Sequence, residues 1–128
     1  MSGYSGYNFD KEFWRFLVED LIKMYRPLRV LDIGCANGCL VECFLDYKVE
    51  TYGIDISGYI LSKASDHVRP FLRQLDINSE TIPFSNGYFD LITCLDVLEH
   101  ISLLDHALLE IRRCLSKNGI LFVKIPNP

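Results

Sequence analysis

The nine residues Val30-Leu31-Asp32-Ile33-Gly34-Cys35-Ala36-Asn37-Gly38 constrain this chain more than any other stretch. They read as a buried strand, an acid near its end, and a glycine-rich turn that opens a helix. Glycine removes the Cβ that would hold a ligand away, so a backbone here can approach one closely. A strand feeding a helix in this way predicts a βαβ unit and a parallel sheet. The acid narrows what the turn can hold. A carboxylate repels a pyrophosphate but suits a cofactor that carries positive charge.

At 128 residues the chain is long enough for one domain with a substantial core. Its 49% hydrophobic and 23% charged residues are those of a globular protein rather than a disordered one. A net charge of -4 argues against a broad nucleic-acid footprint, which needs clustered Lys and Arg. Arg112 and Arg113 are adjacent, but they fall in the last turns of a predicted helix, where they complement its dipole. No apolar run approaches a membrane span, and Met1-Ser2-Gly3-Tyr4 lacks the blocks of a signal peptide. Cys35, Cys39 and Cys43 recur at helical spacing. With no closely spaced Cys pair, they read as small buried apolar residues rather than metal ligands. A reduced, cytoplasmic protein without a metal is expected.

Residues 1–9, rich in Gly, Ser and Tyr, are expected to lack fixed structure. Over residues 10–25, Phe13, Phe16, Leu17, Leu21 and Met24 fall on one helical face, and Pro27 ends the helix. A first strand is predicted over 28–33, a helix over 38–47, and a second strand over 51–55. Ser57 then caps a further helix. A third strand at 71–75 leads into a loop over 78–87, marked by Pro83 and Asn86-Gly87. A fourth strand is predicted over 89–95. Leu103, Leu104, Ala107, Leu108, Ile111 and Leu115 mark another helix, stopped by Asn118-Gly119. The fifth strand, 120–125, is almost wholly apolar, as in a strand buried on both faces. This alternation predicts an α/β fold: a Rossmann-like, doubly wound parallel sheet of five strands with helices on both faces. Residues 1–27 form an N-terminal flexible segment and helix, and 28–128 the core.

Such sheets bind ligands beyond the carboxyl ends of their strands, where the winding reverses. Asp32, Asp55, Asp76 and Asp96 fall at four successive strand ends, which puts four carboxylates on one rim. Asp55 follows Asp32 by roughly the 20 residues at which an acid binds ribose hydroxyls in dinucleotide folds. Asp76 is placed to accept from an exocyclic amine such as adenine N6, and Asp32 to neutralise an ammonium. The dinucleotide fingerprint itself fails, because it requires glycine where Ala36 and Cys39 stand. No Lys-Ser or Lys-Thr follows the turn, which excludes a P-loop. Adenine, ribose and a cationic amino-acid tail without phosphate fit better, and S-adenosylmethionine has those parts.

These residues resemble the motifs of class I S-adenosylmethionine-dependent methyltransferases. Asp32, Gly34, Ala36 and Gly38 are similar to the first motif, with alanine in place of its middle glycine. Tyr52-Gly53-Ile54-Asp55-Ile56-Ser57 resembles the ribose-binding motif, and Leu75-Asp76-Ile77 the adenine-binding position. The Pro83-Phe84 loop, Phe89-Asp90-Leu91-Ile92, and Asp96-Val97-Leu98-Glu99-His100 resemble the later segment of the family. Leu115-Ser116-Lys117-Asn118-Gly119-Ile120-Leu121 resembles its approach to strand five. The likeness covers about residues 28 to 126 and leans toward the small-molecule branch, including quinone-biosynthesis O-methyltransferases.

The resemblance implies methyl transfer from S-adenosylmethionine to a small-molecule acceptor. It implies cofactor binding by Asp32, Gly34, Cys35, Ala36, Gly38, Asp55, Ile56, Asp76, Ile77, Leu95 and Asp96. His100 is the candidate catalytic base, weighed against a capping role, and Glu99 is more weakly placed as a metal ligand. Asp90 is expected to satisfy backbone donors or fix the preceding loop. His67 and His106 are expected on helix surfaces without chemistry. Tyr4, Tyr7, Phe9 and Trp14 are candidates for an aromatic cover. Family members of this branch usually add strands six and seven, which the sequence lacks. Either the natural product is longer, or a second subunit pairs along the strand-five edge as a homodimer, or the domain is a reduced form. Two other functions stand beside methyl transfer: a non-catalytic S-adenosylmethionine-binding module or partner subunit, and a nucleotide-binding oxidoreductase, disfavoured by the failed fingerprint. The sequence does not name the acceptor.

Overall fold

A computed structural model describes residues 11–95 and 104–124. Five strands form one parallel sheet in the order β3-β2-β1-β4-β5. They are β1 (Arg29–Ile33), β2 (Glu50–Asp55), β3 (Leu72–Gln74), β4 (Phe89–Leu95) and β5 (Leu115–Lys124). The helices are α1 (Lys11–Tyr25), α2 (Cys39–Asp46), α3 (Gly58–Leu61) and α4 (Leu104–Cys114). The chain winds outward from β1 through β2 to β3, then returns to place β4 and β5 on the other side of β1. The switch point therefore lies between β1 and β4, at the end of the strand that carries the glycine turn.

The sheet is covered on both faces because side chains alternate along each strand. Val30, Leu91 and Leu95 project to one face and pack with Val18 and Leu21 of α1 and Leu40, Cys43 and Phe44 of α2. Leu31, Ile33, Ile54 and Ile92 project to the other and meet Ala107, Ile111 and Cys114 of α4. A smaller cluster of Cys35, Val41, Leu61 and Val68 lies by the glycine turn.

Three elements depart from the pattern. In α1, Val18 and Leu21 are fully buried, while Phe13, Phe16 and Met24 are exposed. The helix carries apolar residues around most of its circumference, and the side that meets α2 is Trp14, Leu17, Val18, Leu21 and Ile22. Helix α3 has only four residues; Ser57 does cap it, its hydroxyl accepting from the Ile60 N–H at 3.2 Å. Strand β5 starts at Leu115, directly after α4, rather than near residue 120. Leu115 pairs with Phe89 and Ile120 with Leu91, so the intervening residues form a bulge. Asn118-Gly119 thus lies in that bulge and does not cap a helix. Pairing of Leu115 to the sheet, rather than the glycine, ends α4.

Strand β5 also has no fully buried residue; Leu121, Phe122 and Val123 are half-buried. Among the described residues it lies at the edge of the sheet, paired with β4, so coverage is partial. Asp90 does satisfy backbone donors, those of the segment leading into β1. The Leu28 N–H donates to its carboxylate at 2.8 Å and the Arg29 N–H at 3.0 Å.

Candidate cofactor site

Asp32 reaches the site through β1, where Gly53 of β2 and Thr93 of β4 are its register neighbours. It does not stand open on the rim: it is only 4% exposed, and the Thr93 hydroxyl donates to Oδ1 at 2.8 Å. Burial pushes its carboxyl up to about 7, against the pull of the Thr93 bond, and the nearby Asp55 charge adds to the rise. Gly53 makes this crowding feasible, because a Cβ there would lie 2.7 Å from Cβ and Sγ of Cys35.

The turn is built from backbone donors and left-handed residues. The Gly34 and Cys35 N–H groups both donate to the Ile54 carbonyl, at 2.8 and 3.0 Å. Gly34, Ala36 and Gly38 have φ of 79°, 52° and 82°. Ala36 therefore adopts, with a side chain, the conformation that glycine takes without strain. At Gly38 a Cβ would come within 2.9 Å of Val68 Cγ1, so the space as well as the φ excludes larger residues. Cys35 is buried, which drives its thiol far above the ordinary range. Asn37 places a buried Oδ1 in this turn with no hydrogen-bond partner among the described residues. An orphaned acceptor of that kind fits a ligand bearing an ammonium or hydroxyl donor.

Asp55 ends β2 and ties the turn to the next helix. Its Oδ2 accepts from the Ala36 N–H and its Oδ1 from the Ser57 N–H, both at 2.9 Å. Each oxygen keeps acceptor capacity for a second donor, as two ribose hydroxyls require. Ile56 follows with its apolar side chain 59% exposed, a flat surface beside that carboxylate. Asp76 begins a tight turn after β3. Its Oδ1 accepts from the Asn78 N–H at 2.9 Å, and its own N–H donates to Glu80 Oε1 at 2.7 Å. The spacing Asp76-x-Asn78-Ser79-Glu80 is a legible Asx-turn signal that the acid-at-strand-end reading did not use. Ile77 is buried, as is Leu95 at the end of β4. Asp96, Glu99, His100 and the N-terminal Tyr4, Tyr7 and Phe9 lie outside the described residues; Trp14 packs in the α1 core.

The polar side of α4 is the part that sequence reasoning missed. Arg113 does more than face the helix dipole. Its guanidinium donates to the carbonyls of Ile82 at 2.7 Å and Phe84 at 2.9 Å, and to Asn86 Oδ1 at 2.8 Å. Glu110 pairs with Arg113 and accepts from the Ile82 N–H at 2.8 Å. His106 is half-buried rather than a bare surface residue, with Nδ1 3.0 Å from the Ile77 carbonyl. His67 is exposed and pairs with Glu42 at 3.1 Å. The i, i+4, i+7 spacing of His106, Glu110 and Arg113 was a signal for one polar stripe. No sequence rule says that a loop lies against it.

All five cysteines are buried and none is in a disulfide, Cys39 and Cys43 on α2 and Cys35 in the turn. Among the described residues no group of three or more His, Cys, Asp or Glu stands close enough to hold a metal ion. A cavity of about 430 Å³ lined by Lys11, Arg15, Cys43, Asp46 and Tyr47 lies at the other end of α2 from the turn. It holds none of the candidate cofactor residues.

Residues 31–123 match the family described as methyltransferase domain. The chain is 29% identical to the ubiquinone biosynthesis O-methyltransferase of Pelagibacter ubique, over 94% of this chain and 55% of that protein. Among solved structures it resembles an S-adenosylmethionine-dependent methyltransferase from Clostridium acetobutylicum, at 25% identity and a TM-score of 0.71. That likeness covers 89% of this chain and 50% of the other. It also resembles a [4+2]-cyclase, at 26% identity and a TM-score of 0.71, over 85% of this chain and 43% of that one. The chain thus spans about half the length of the curated relative it matches.

Proposed function

The chain belongs to the methyltransferase domain family, and from that premise we propose that it binds S-adenosylmethionine at the β1–α2 turn and transfers its methyl group to a small-molecule acceptor. The observation that carries this reading is Asp55. One carboxylate holds the Ala36 and Ser57 N–H groups and keeps an acceptor site on each oxygen at the rim. The turn carries neither a P-loop Lys-Ser or Lys-Thr nor the full dinucleotide glycine set, and it contains Asp32 and an Asn37 oxygen that has no partner among the described residues.

Within this reading, Gly34, Cys35, Ala36 and Gly38 form the backbone cradle, with Asp32 and Asn37 facing the cationic amino-acid end. Asp55 takes the ribose hydroxyls, Ile56 covers one side of the base, and Asp76 and Ile77 take its polar edge. Leu95 and Asp96 close the pocket at the end of β4. When bound, the cofactor supplies an electrophilic methyl group on a sulfonium. The chain's residues would hold the cofactor beside the acceptor, so their main contribution would be positioning. His100 is proposed to take the acceptor's proton as general base. Residues 28–128 form the cofactor core, and a cytoplasmic setting suits five cysteines that form no disulfide. Among the described residues no helix is long and apolar enough to cross a membrane, and the net charge of -4 supports the expectation of no nucleic-acid partner. We propose the side of β5 that faces away from β4 as the seam of a homodimer.

Calorimetric titration with S-adenosylhomocysteine, S-adenosylmethionine and NAD tests the cofactor assignment. Saturable binding of both adenosyl ligands and none of NAD is expected; NAD binding without an adenosylmethionine response overturns it. A second reading, a binding module that transfers no methyl group, is favoured by the likeness to a cyclase. Binding without turnover of any offered acceptor would select it.

A further inference from the structure

Helix α4 presents two stripes to the rest of the molecule. Ala107, Ile111 and Cys114 enter the core. One position ahead of each sits His106, Glu110 or Arg113, and these three side chains hold the backbone of the loop between β3 and β4. Arg113 and Glu110 secure its far end at Ile82, Phe84 and Asn86. The Gly87 N–H donates to the Arg113 carbonyl at 2.8 Å as well. His106 meets its near end, at Ile77.

A carbonyl oxygen only accepts, so His106 Nδ1 carries the hydrogen in this contact. The near end of the loop is the Asp76–Ile77 pair. Within the turn the Ser79 and Glu80 N–H groups donate to the Asp76 carbonyl at 3.1 and 2.8 Å, and the Asn78 N–H donates to the Asp76 carboxylate. Leu75 and Ile77 bury their side chains in the sheet core, and the Leu75 N–H donates to the Asp55 carbonyl at 2.9 Å. The contact from α4 adds a bond to the Ile77 carbonyl, which shares one peptide plane with the Asn78 N–H that holds the Asp76 carboxylate, and α4 itself is anchored by Ala107 and Ile111, both essentially fully buried.

Building on the cofactor reading above, we propose that His106 is a positioning residue for the adenine end of the pocket. Its Nδ1–H fixes the Ile77 carbonyl and so holds the Asp76–Ile77 pair where it can read the 6-amino group of the base. A ligand group is discriminated strongly only when its protein partner is held at hydrogen-bonding distance. Removing the anchor should therefore cost recognition of that amine more than it costs folding.

The test compares S-adenosylhomocysteine with its inosyl counterpart, in which oxygen replaces the amine. Wild type should prefer the adenosyl ligand by at least about tenfold. His106→Leu, which fills the space without a donor, should lower adenosyl affinity about tenfold and leave inosyl affinity nearly unchanged. His106→Asn, whose amide can donate to the same carbonyl, should restore much of the preference. A thermal melt of each variant accompanies the titrations. Unchanged discrimination in His106→Leu, with or without a lower melting temperature, overturns the proposal and leaves the cofactor reading standing. Equal loss of both ligands overturns it too. No binding of either ligand by wild type overturns the cofactor reading, and the proposal falls with it.

Discussion

Ala36 carries a side chain at a φ of 52°, a conformation that costs an L-residue roughly 1–2 kcal/mol. Replacing it with glycine removes that strain but adds freedom to the unfolded chain. Ala36→Gly should therefore stabilise by up to about 1 kcal/mol, read as a higher urea midpoint at unchanged slope. Asp32 works against stability in another way. Its carboxyl is raised from 3.8 to about 7 by burial, so the folded state holds the proton more tightly than the unfolded state. The penalty is absent below about pH 4, grows as pH rises, and is complete above about pH 7. Roughly 3 units correspond to about 4 kcal/mol. Melting temperature should fall between pH 4 and 7 in wild type, and Asp32→Asn should flatten that fall and melt higher above pH 7. Asp55 has the opposite effect on the turn. Asp55→Ala removes the acceptor of two backbone N–H groups and the proposed ribose acceptor together. It should lose about 2–3 kcal/mol of stability and most S-adenosylhomocysteine affinity.

At the scale of elements, side chains that hold backbone from a distance decide where segments begin. Asp90, in β4, accepts from Leu28 and Arg29 and so sets the start of β1. Asp90→Ala should cost about 2 kcal/mol in denaturant unfolding, with Asp90→Asn recovering part of it. The lengths of α3, α4 and β5 follow the same logic. Helix periodicity in the sequence runs through Leu115, but pairing with Phe89 captures that residue for the sheet. Apolar periodicity equally supports Phe13 and Phe16 as core residues in α1; packing against the sheet and α2 selects the Val18 side. A local pattern states what an element can present and not which neighbour meets it.

For the molecule as a whole, β5 has one strand neighbour among the described residues, and an exposed strand edge invites pairing with another chain. Light scattering over a concentration series should give a dimer mass if the proposed seam forms, and a constant monomer mass would reject it. The sequence by itself determined the alternation of strands and helices, and hence the parallel sheet and its ligand-binding rim. It also determined the glycine turn and the spacing of Asp55 from Asp32, because these are local: period, turn chemistry and strand ends lie within a few residues of one another. Tertiary structure decided what depends on distant partners. It buried Asp32 against Thr93, 61 residues away. It closed the turn by bonding Ala36 to Asp55, and brought α4's polar stripe against the loop after β3. The nine-residue turn is written in the chain; its electrostatics come from neighbours that only folding supplies.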